Sequence, residues 1–171
     1  MGDVLYARVK GGGTGTPVVL LHGFGGGIDD WYDIQPDLAR DRLTLAYDLP
    51  GHGRSLGHPA AGNASGMAKA ILADLATRGI SKVHVAGFSM GGAVAALMGL
   101  RGAEQVASLT LLAPGGFGQQ AAGSRPVARP RRGDALRQDD IPAAHDAPRP
   151  GGARFTLISP VSGVSPSSRR W

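Results

Sequence analysis

The chain has 171 residues, 42% of them hydrophobic, and no cysteine. One domain with a sizeable core is the natural size, and disulfides and thiolate metal centres are excluded. The formal charge of +5 is uneven: residues 1–118 carry nine Lys/Arg against nine Asp/Glu, and residues 119–171 carry nine Arg against four Asp.

Val4–Lys10 alternates and predicts a strand, one arm of an edge hairpin, with a flexible turn over Gly11–Thr16. Pro17–His22 (PVVLLH) is a continuous apolar run, the pattern of a parallel strand buried on both faces. A glycine loop follows over Gly23–Gly27. Asp29–Ala39 reads as interrupted helix: Trp31, Ile34 and Leu38 share a face and Pro36 opens a second short helix. Leu43–Leu49 predicts a second buried strand, and Pro50–Ser55 a turn. Ala64–Arg78 carries Met67, Ile71, Leu72 and Leu75 on one stripe and is closed by Gly79, so it predicts an amphipathic helix. Lys82–Phe88 is a third buried strand, Gly91–Leu100 a helix apolar all round, and Val106–Ala113 a fourth buried strand. This alternation predicts an α/β fold, a mostly parallel sheet with helices on both faces.

Beyond Gly118 the composition changes. Residues 119–171 hold seven of the twelve prolines and nine arginines, with no lysine, glutamate or tyrosine. Such a segment cannot bury enough apolar surface to offset its ordering entropy, so a disordered tail is expected. Arg154–Ile158 (RFTLI) is its one candidate strand, with Val106–Ala113 as the neighbour it would pair. The domain organisation expected is therefore 1–118 folded and 119–171 a low-complexity Arg/Pro-rich tail.

Gly87-Phe88-Ser89-Met90-Gly91 matches G-x-S-x-G between a strand and a helix, where a tight turn exposes a serine hydroxyl above the carboxyl end of the sheet. The helix that follows aims its N-terminal amides and positive dipole end at the same spot. His22-Gly23-Phe24-Gly25-Gly26-Gly27 follows the first buried strand, and Asp48-Leu49-Pro50-Gly51-His52-Gly53-Arg54-Ser55 the second. In this order and spacing the three motifs resemble the α/β-hydrolase superfamily over about residues 4–118.

The resemblance implies a partial α/β-hydrolase fold and roles for particular residues. Ser89 would be the nucleophile, and the backbone amides of Phe24 and Met90 the oxyanion hole. His22, Gly23, Gly25, Gly87 and Gly91 would support them. Phe24 would either line an acyl pocket or pack in the core, and Asp48 would shape the strand end. The substrate class implied is a small-molecule ester, thioester or related acyl compound, with no cofactor and no metal. A serine at the nucleophile position argues against the branches that use aspartate there.

A serine hydroxyl needs a histidine to take its proton and a carboxylate to orient that histidine. The family order is Ser, then Asp or Glu, then His, each after a further strand. His145 is the one histidine after Ser89, and Asp134, Asp139 and Asp140 precede it, but no strand precedes those aspartates and prolines crowd the histidine. His22 and His52 lie on loops near the site and read as turn-holders before makeshift bases. His84 reads as a satisfied core residue and His58 as a surface loop residue. The expectation is a chain whose acid and histidine are missing, inactive or impaired, with a non-enzymatic fold remnant that binds a ligand or partner as the alternative. A reading-frame shift after Gly118 would explain the new composition, the missing strands and the missing histidine together. It would also leave Val106–Ala113 as an exposed edge and make the chain poorly soluble.

Other function classes are weaker. Neither GGGTGTP nor HGFGGG matches a phosphate-binding loop. The tail arginines are interleaved only with Phe155 and Trp171, which argues against nucleic acid as a partner. No apolar run spans a bilayer, so no membrane partner is expected. The start, MGDVLYARVKGGG, lacks the apolar core of a secretory signal, so a cytoplasmic protein is the expectation and the sequon Asn63-Ala64-Ser65 has no consequence.

Overall fold

The computed structural model describes residues 5–115 and 154–158. Six strands form one sheet: β1 (Ala7–Lys10), β2 (Gly15–Leu21), β3 (Arg42–Tyr47), β4 (Val83–Phe88), β5 (Val106–Leu112) and β6 (Arg154–Ile158), in the order β1-β3-β2-β4-β5-β6. β1 runs antiparallel to β3, and every other neighbouring pair is parallel.

The helices follow from the direction of each step. α2 (Ala64–Thr77) and α3 (Met90–Arg101) join β3 to β4 and β4 to β5, two steps the same way across the sheet. Right-handed crossovers put both on one face. The step from β2 back to β3 runs the other way, so its 3₁₀ turn (Ile28–Trp31) and the short α1 (Gln35–Leu38) cover the opposite face. The core divides accordingly. Leu21, Leu45, Tyr47 and Val85 pack with Ile71, Leu75, Val94 and Met98 on the α2/α3 side. Val18, Leu20 and Ala46 pack with Trp31 on the other.

Local chemistry sets the boundaries. Asn63 caps α2, its side-chain oxygen accepting from Gly66 N–H at 2.5 Å, a contact that stabilises a helix by about 1 kcal/mol. The apolar stripe read over this helix is its buried face: Met67, Ile71 and Leu75 are sealed and Leu72 is half-buried. The polar groups buried beneath α1 are satisfied: Gln35 donates to Arg8 O and Thr44 Oγ1 and accepts from Arg8 Nε. The Arg8 guanidinium also donates to Asp29 and to Ile28 O, tying the 3₁₀ turn to edge strand β1.

Two expectations are corrected. β5 is not the edge of the sheet, because Arg154–Ile158 pairs with it in parallel from Ser108↔Arg154 to Leu112↔Ile158. Nor is β5 buried on both faces: Val106, Leu109 and Leu111 are buried, while Ser108, Thr110 and Leu112 are half-buried. Apart from β6, residues 116–171 lie outside the described residues, and with them the expected disordered tail.

Candidate active site

β2 sends its connection toward β3, and β4 sends its connection toward β5, so the crevice between their carboxyl ends is the topological switch point of the sheet. The glycine loop after β2 and the turn after β4 meet there. Ser89 stands on that turn with φ 51° and ψ −114°, a backbone that costs a non-glycine residue about 1–3 kcal/mol. Four backbone hydrogen bonds hold it: Ser89 N–H donates to Leu112 O at 2.9 Å, and Ser89 O accepts from Gly92, Ala93 and Gly115 N–H at 3.0, 3.2 and 2.8 Å.

The flanking glycines are required by close approach. A Cβ at Gly87 would lie 2.2 Å from Gly91 O, and one at Gly91 would lie 2.3 Å from Leu21 O and 2.5 Å from His22 O. Only with hydrogen at both positions can α3 start directly over β4 and against the end of β2. Gly23 lies on the far side of the serine, where a Cβ would come 3.4 Å from Ser89 Cβ and 3.0 Å from Phe88 Cδ1. Gly25 has φ +73°, and the turn it makes closes with Gly26 N–H donating to Gly23 O at 3.1 Å.

Phe24 N–H, in that turn, and Met90 N–H, the first of α3, donate to no group among the described residues. The Phe24 side chain is 84% exposed, so the core-packing alternative is excluded. Phe88, the residue before Ser89, is 46% exposed.

Behind the loops sit two buried polar anchors. His22 is fully buried; its Nε2 accepts from Leu49 N–H at 2.9 Å and its Nδ1 lies 2.7 Å from Gly23 O. An imidazole that accepts at Nε2 and faces a carbonyl at Nδ1 carries its proton on Nδ1. Both nitrogens are committed, and burial pushes its pKa below the ordinary histidine value. His22 therefore pins the glycine loop to the loop after β3. Asp48, also buried, accepts from Ile28 N–H with Oδ1 and from Arg54 N–H with Oδ2, both at 3.0 Å. It joins the 3₁₀ turn that follows the glycine loop to the loop after β3, and Ser55 Oγ holds that second loop to the residue before β1 by accepting from Tyr6 N–H.

No hydrogen bond among the described residues reaches Ser89 Oγ. His52 stacks edge-on against Phe24 and His22, with centroids 5.9 and 5.1 Å away. His58 Nδ1 accepts from Ala60 N–H in its own turn. His84 is not a core residue: it is half-buried on the α1 side of the sheet, its Nδ1 2.7 Å from Ser108 Oγ. His145 and Asp134, Asp139 and Asp140 lie outside the described residues. Among the described residues no group of three or more His, Asp or Glu side chains is gathered as a metal site. No helix among them is long and apolar enough to cross a membrane.

The family model for the alpha/beta hydrolase fold matches residues 16–147. The chain belongs to the α/β-hydrolase fold family. The match takes in β2 through β5 and continues past Gly118. A dihydrolipoyllysine-residue acetyltransferase component of the acetoin cleaving system from Pseudomonas putida is 43% identical over 113 residues, covering 66% of this chain and 30% of that protein. The human 1-acylglycerol-3-phosphate O-acyltransferase ABHD5 is 32% identical over 154 residues, covering 87% of this chain and 40% of that protein. Among solved structures, Est816, described as an N-acyl homoserine lactone degrading enzyme, superposes with a TM-score of 0.59 at 28% identity, covering 68% of this chain and 46% of that one. The chain spans less than half the length of these relatives.

The three sequence motifs thus converge on one crevice. The clasp formed by the Ala113–Gly115 segment on Ser89 was not read from sequence. Ala113 itself has φ 42°, and no residue type there announces a left-handed turn.

Proposed function

We propose that this chain is built for acyl-transfer chemistry at Ser89, on an ester, thioester or related small-molecule acyl substrate. The strained serine beside two uncommitted amides carries the reading. Ser89 Oγ attacks the substrate carbonyl and its proton leaves to a base. The carbonyl oxygen becomes an oxyanion that accepts from Phe24 and Met90 N–H, each donor lowering the barrier by about 3 kcal/mol. The alcohol or thiol leaves, the acyl group stays on Oγ, and water or another acceptor removes it. The exposed rings of Phe24 and Phe88 form the apolar surface for the acyl chain. Relatives named for acyl transfer and for acyl-homoserine lactone degradation support the substrate class.

The proton acceptor is the weak part. His22 has no free nitrogen, and no other histidine among the described residues bonds to Ser89. The site is thus impaired, and the oxyanion hole and binding alone leave roughly 10³-fold catalysis over water. The family match runs past Gly118 to residue 147, which argues against the shifted reading frame expected from composition; the gene sequence beyond that codon tests it. The second reading, a fold remnant that binds a ligand or partner without turnover, is favoured by the Ser89 hydroxyl having no hydrogen-bond partner among the described residues.

Incubation with p-nitrophenyl acetate followed by peptide mass mapping separates the two. Acetyl transfer to Ser89, absent in Ser89→Ala, is expected of an acyl-transfer site. Acetylation that Ser89→Ala leaves unchanged would leave the remnant reading standing.

A further inference from the structure

Two non-glycine residues among those described have a positive φ, Ser89 at 51° and Ala113 at 42°. They are tied to one another. Ser89 N–H donates to Leu112 O at 2.9 Å, and Gly115 N–H donates to Ser89 O at 2.8 Å, so the two hydrogen bonds that hold the serine from outside α3 bracket the corner at Ala113. The other donors to Ser89 O, Gly92 and Ala93 N–H, belong to the first turn of α3 itself. Pro114 is buried against that turn: a Cβ at Gly92 would lie 2.8 Å from Pro114 Cβ. Strained backbone persists only where its surroundings over-determine it, and it gathers at functional sites.

Gly115 is a glycine that neither conformation nor packing requires. Its φ is not positive. A Cβ there would lie 3.5 Å from Ser89 O and 3.6 Å from Met90 N, ordinary contact distances. The space a side chain would take is beside the Ser89–Met90 peptide, whose N–H would receive the oxyanion. We propose, on the acyl-transfer reading of Ser89, that the Ala113–Gly115 turn is a positioning element for acylation. The corner at Ala113 fixes the serine through that pair of hydrogen bonds, and the missing side chain at Gly115 keeps the approach to Met90 N–H clear.

Single-turnover acylation of the full-length chain by p-nitrophenyl acetate, followed by p-nitrophenolate release and peptide mapping, tests this. Gly115→Ala should leave the melting temperature unchanged or raised, since its methyl fits and restricts the unfolded chain. Its limiting acylation rate should fall about tenfold at an unchanged half-saturating concentration, the signature of a contact made only in the transition state; outright loss of an oxyanion donor costs about 10²–10³-fold. Ala113→Gly relieves the positive φ and should melt higher, yet acylate Ser89 severalfold more slowly, because a glycine corner no longer fixes the serine. A purely structural turn would not move stability and reactivity in opposite directions. Acylation at the parent rate in both variants, or losses in proportion to lowered melting temperatures, would overturn the proposal alone. A parent chain that is not acylated at Ser89 would overturn the acyl-transfer reading and the proposal with it.

Discussion

Replacing Asp48 tests what holds the site's two loops together. Its carboxylate is 3% exposed and accepts from Ile28 N–H, at the start of the 3₁₀ turn that follows the glycine loop, and from Arg54 N–H, in the loop after β3, each at 3.0 Å. Hydrogen bonds to a charged acceptor contribute about 1.5–3 kcal/mol each. Relief of the buried charge offsets part of that, so Asp48→Ala should cost roughly 3 kcal/mol, a large share of the 5–15 kcal/mol that stabilises a typical domain. Asp48→Asn keeps one acceptor and turns an N–H toward the other amide, so it should cost roughly 2 kcal/mol. Urea unfolding followed by far-UV circular dichroism reads both values, with equal slopes showing that the transition itself is unchanged. A loss under about 1 kcal/mol for Asp48→Ala would contradict this, because two half-buried amides would have lost a charged acceptor at almost no cost.

At Gly91, an alanine methyl would sit 2.3 Å from Leu21 O; Gly91→Ala should therefore destabilise by about 3 kcal/mol or more and lower the melting temperature, beyond ordinary overpacking. Ser89→Gly relieves the positive φ and should raise stability by about 1 kcal/mol, where Ser89→Ala leaves it unchanged; paired denaturant melts compare them. The pKa of His22 is lowered by burial, so below its ordinary value of 6.5 the unfolded chain takes up a proton that the folded chain refuses. Stability should be fully present above pH 6.5 and fall as the pH drops toward the folded pKa, with a steeper slope in the parent than in His22→Gln across pH 5–6.5 melts.

Periodicity made the parallel strands legible. β2 and β3 are apolar runs, and their sealed residues Val19 and Leu45 lie where those runs place them, whereas β4, expected to be buried, alternates, with His84 and Ala86 half-buried and Phe88 exposed. The motif spacing placed Gly23, Phe24, Ser89 and Met90 around one crevice because each motif follows a strand end and the parallel sheet brings those ends together. β5 misled because VASLTLL contains enough leucine to hide an alternation that turns Ser108 and Thr110 to the other face. His84 misled for the same reason: its neighbours in sequence face the α2/α3 core, while its own side chain faces the α1 side of the sheet. The links through Arg8, Gln35 and Asp48 bridge residues 20 to 27 positions apart, and no local pattern announces such long-range polar contacts.

Reaction with a fluorophosphonate probe at neutral pH, read by intact mass and peptide mapping over time, reports how strongly the Ser89 hydroxyl is activated. A serine held in attack geometry without an activating histidine should label slowly, at Ser89 alone, with Ser89→Ala silent. Fast stoichiometric labelling would contradict the proposed impairment, and labelling that Ser89→Ala does not abolish would contradict the elbow itself.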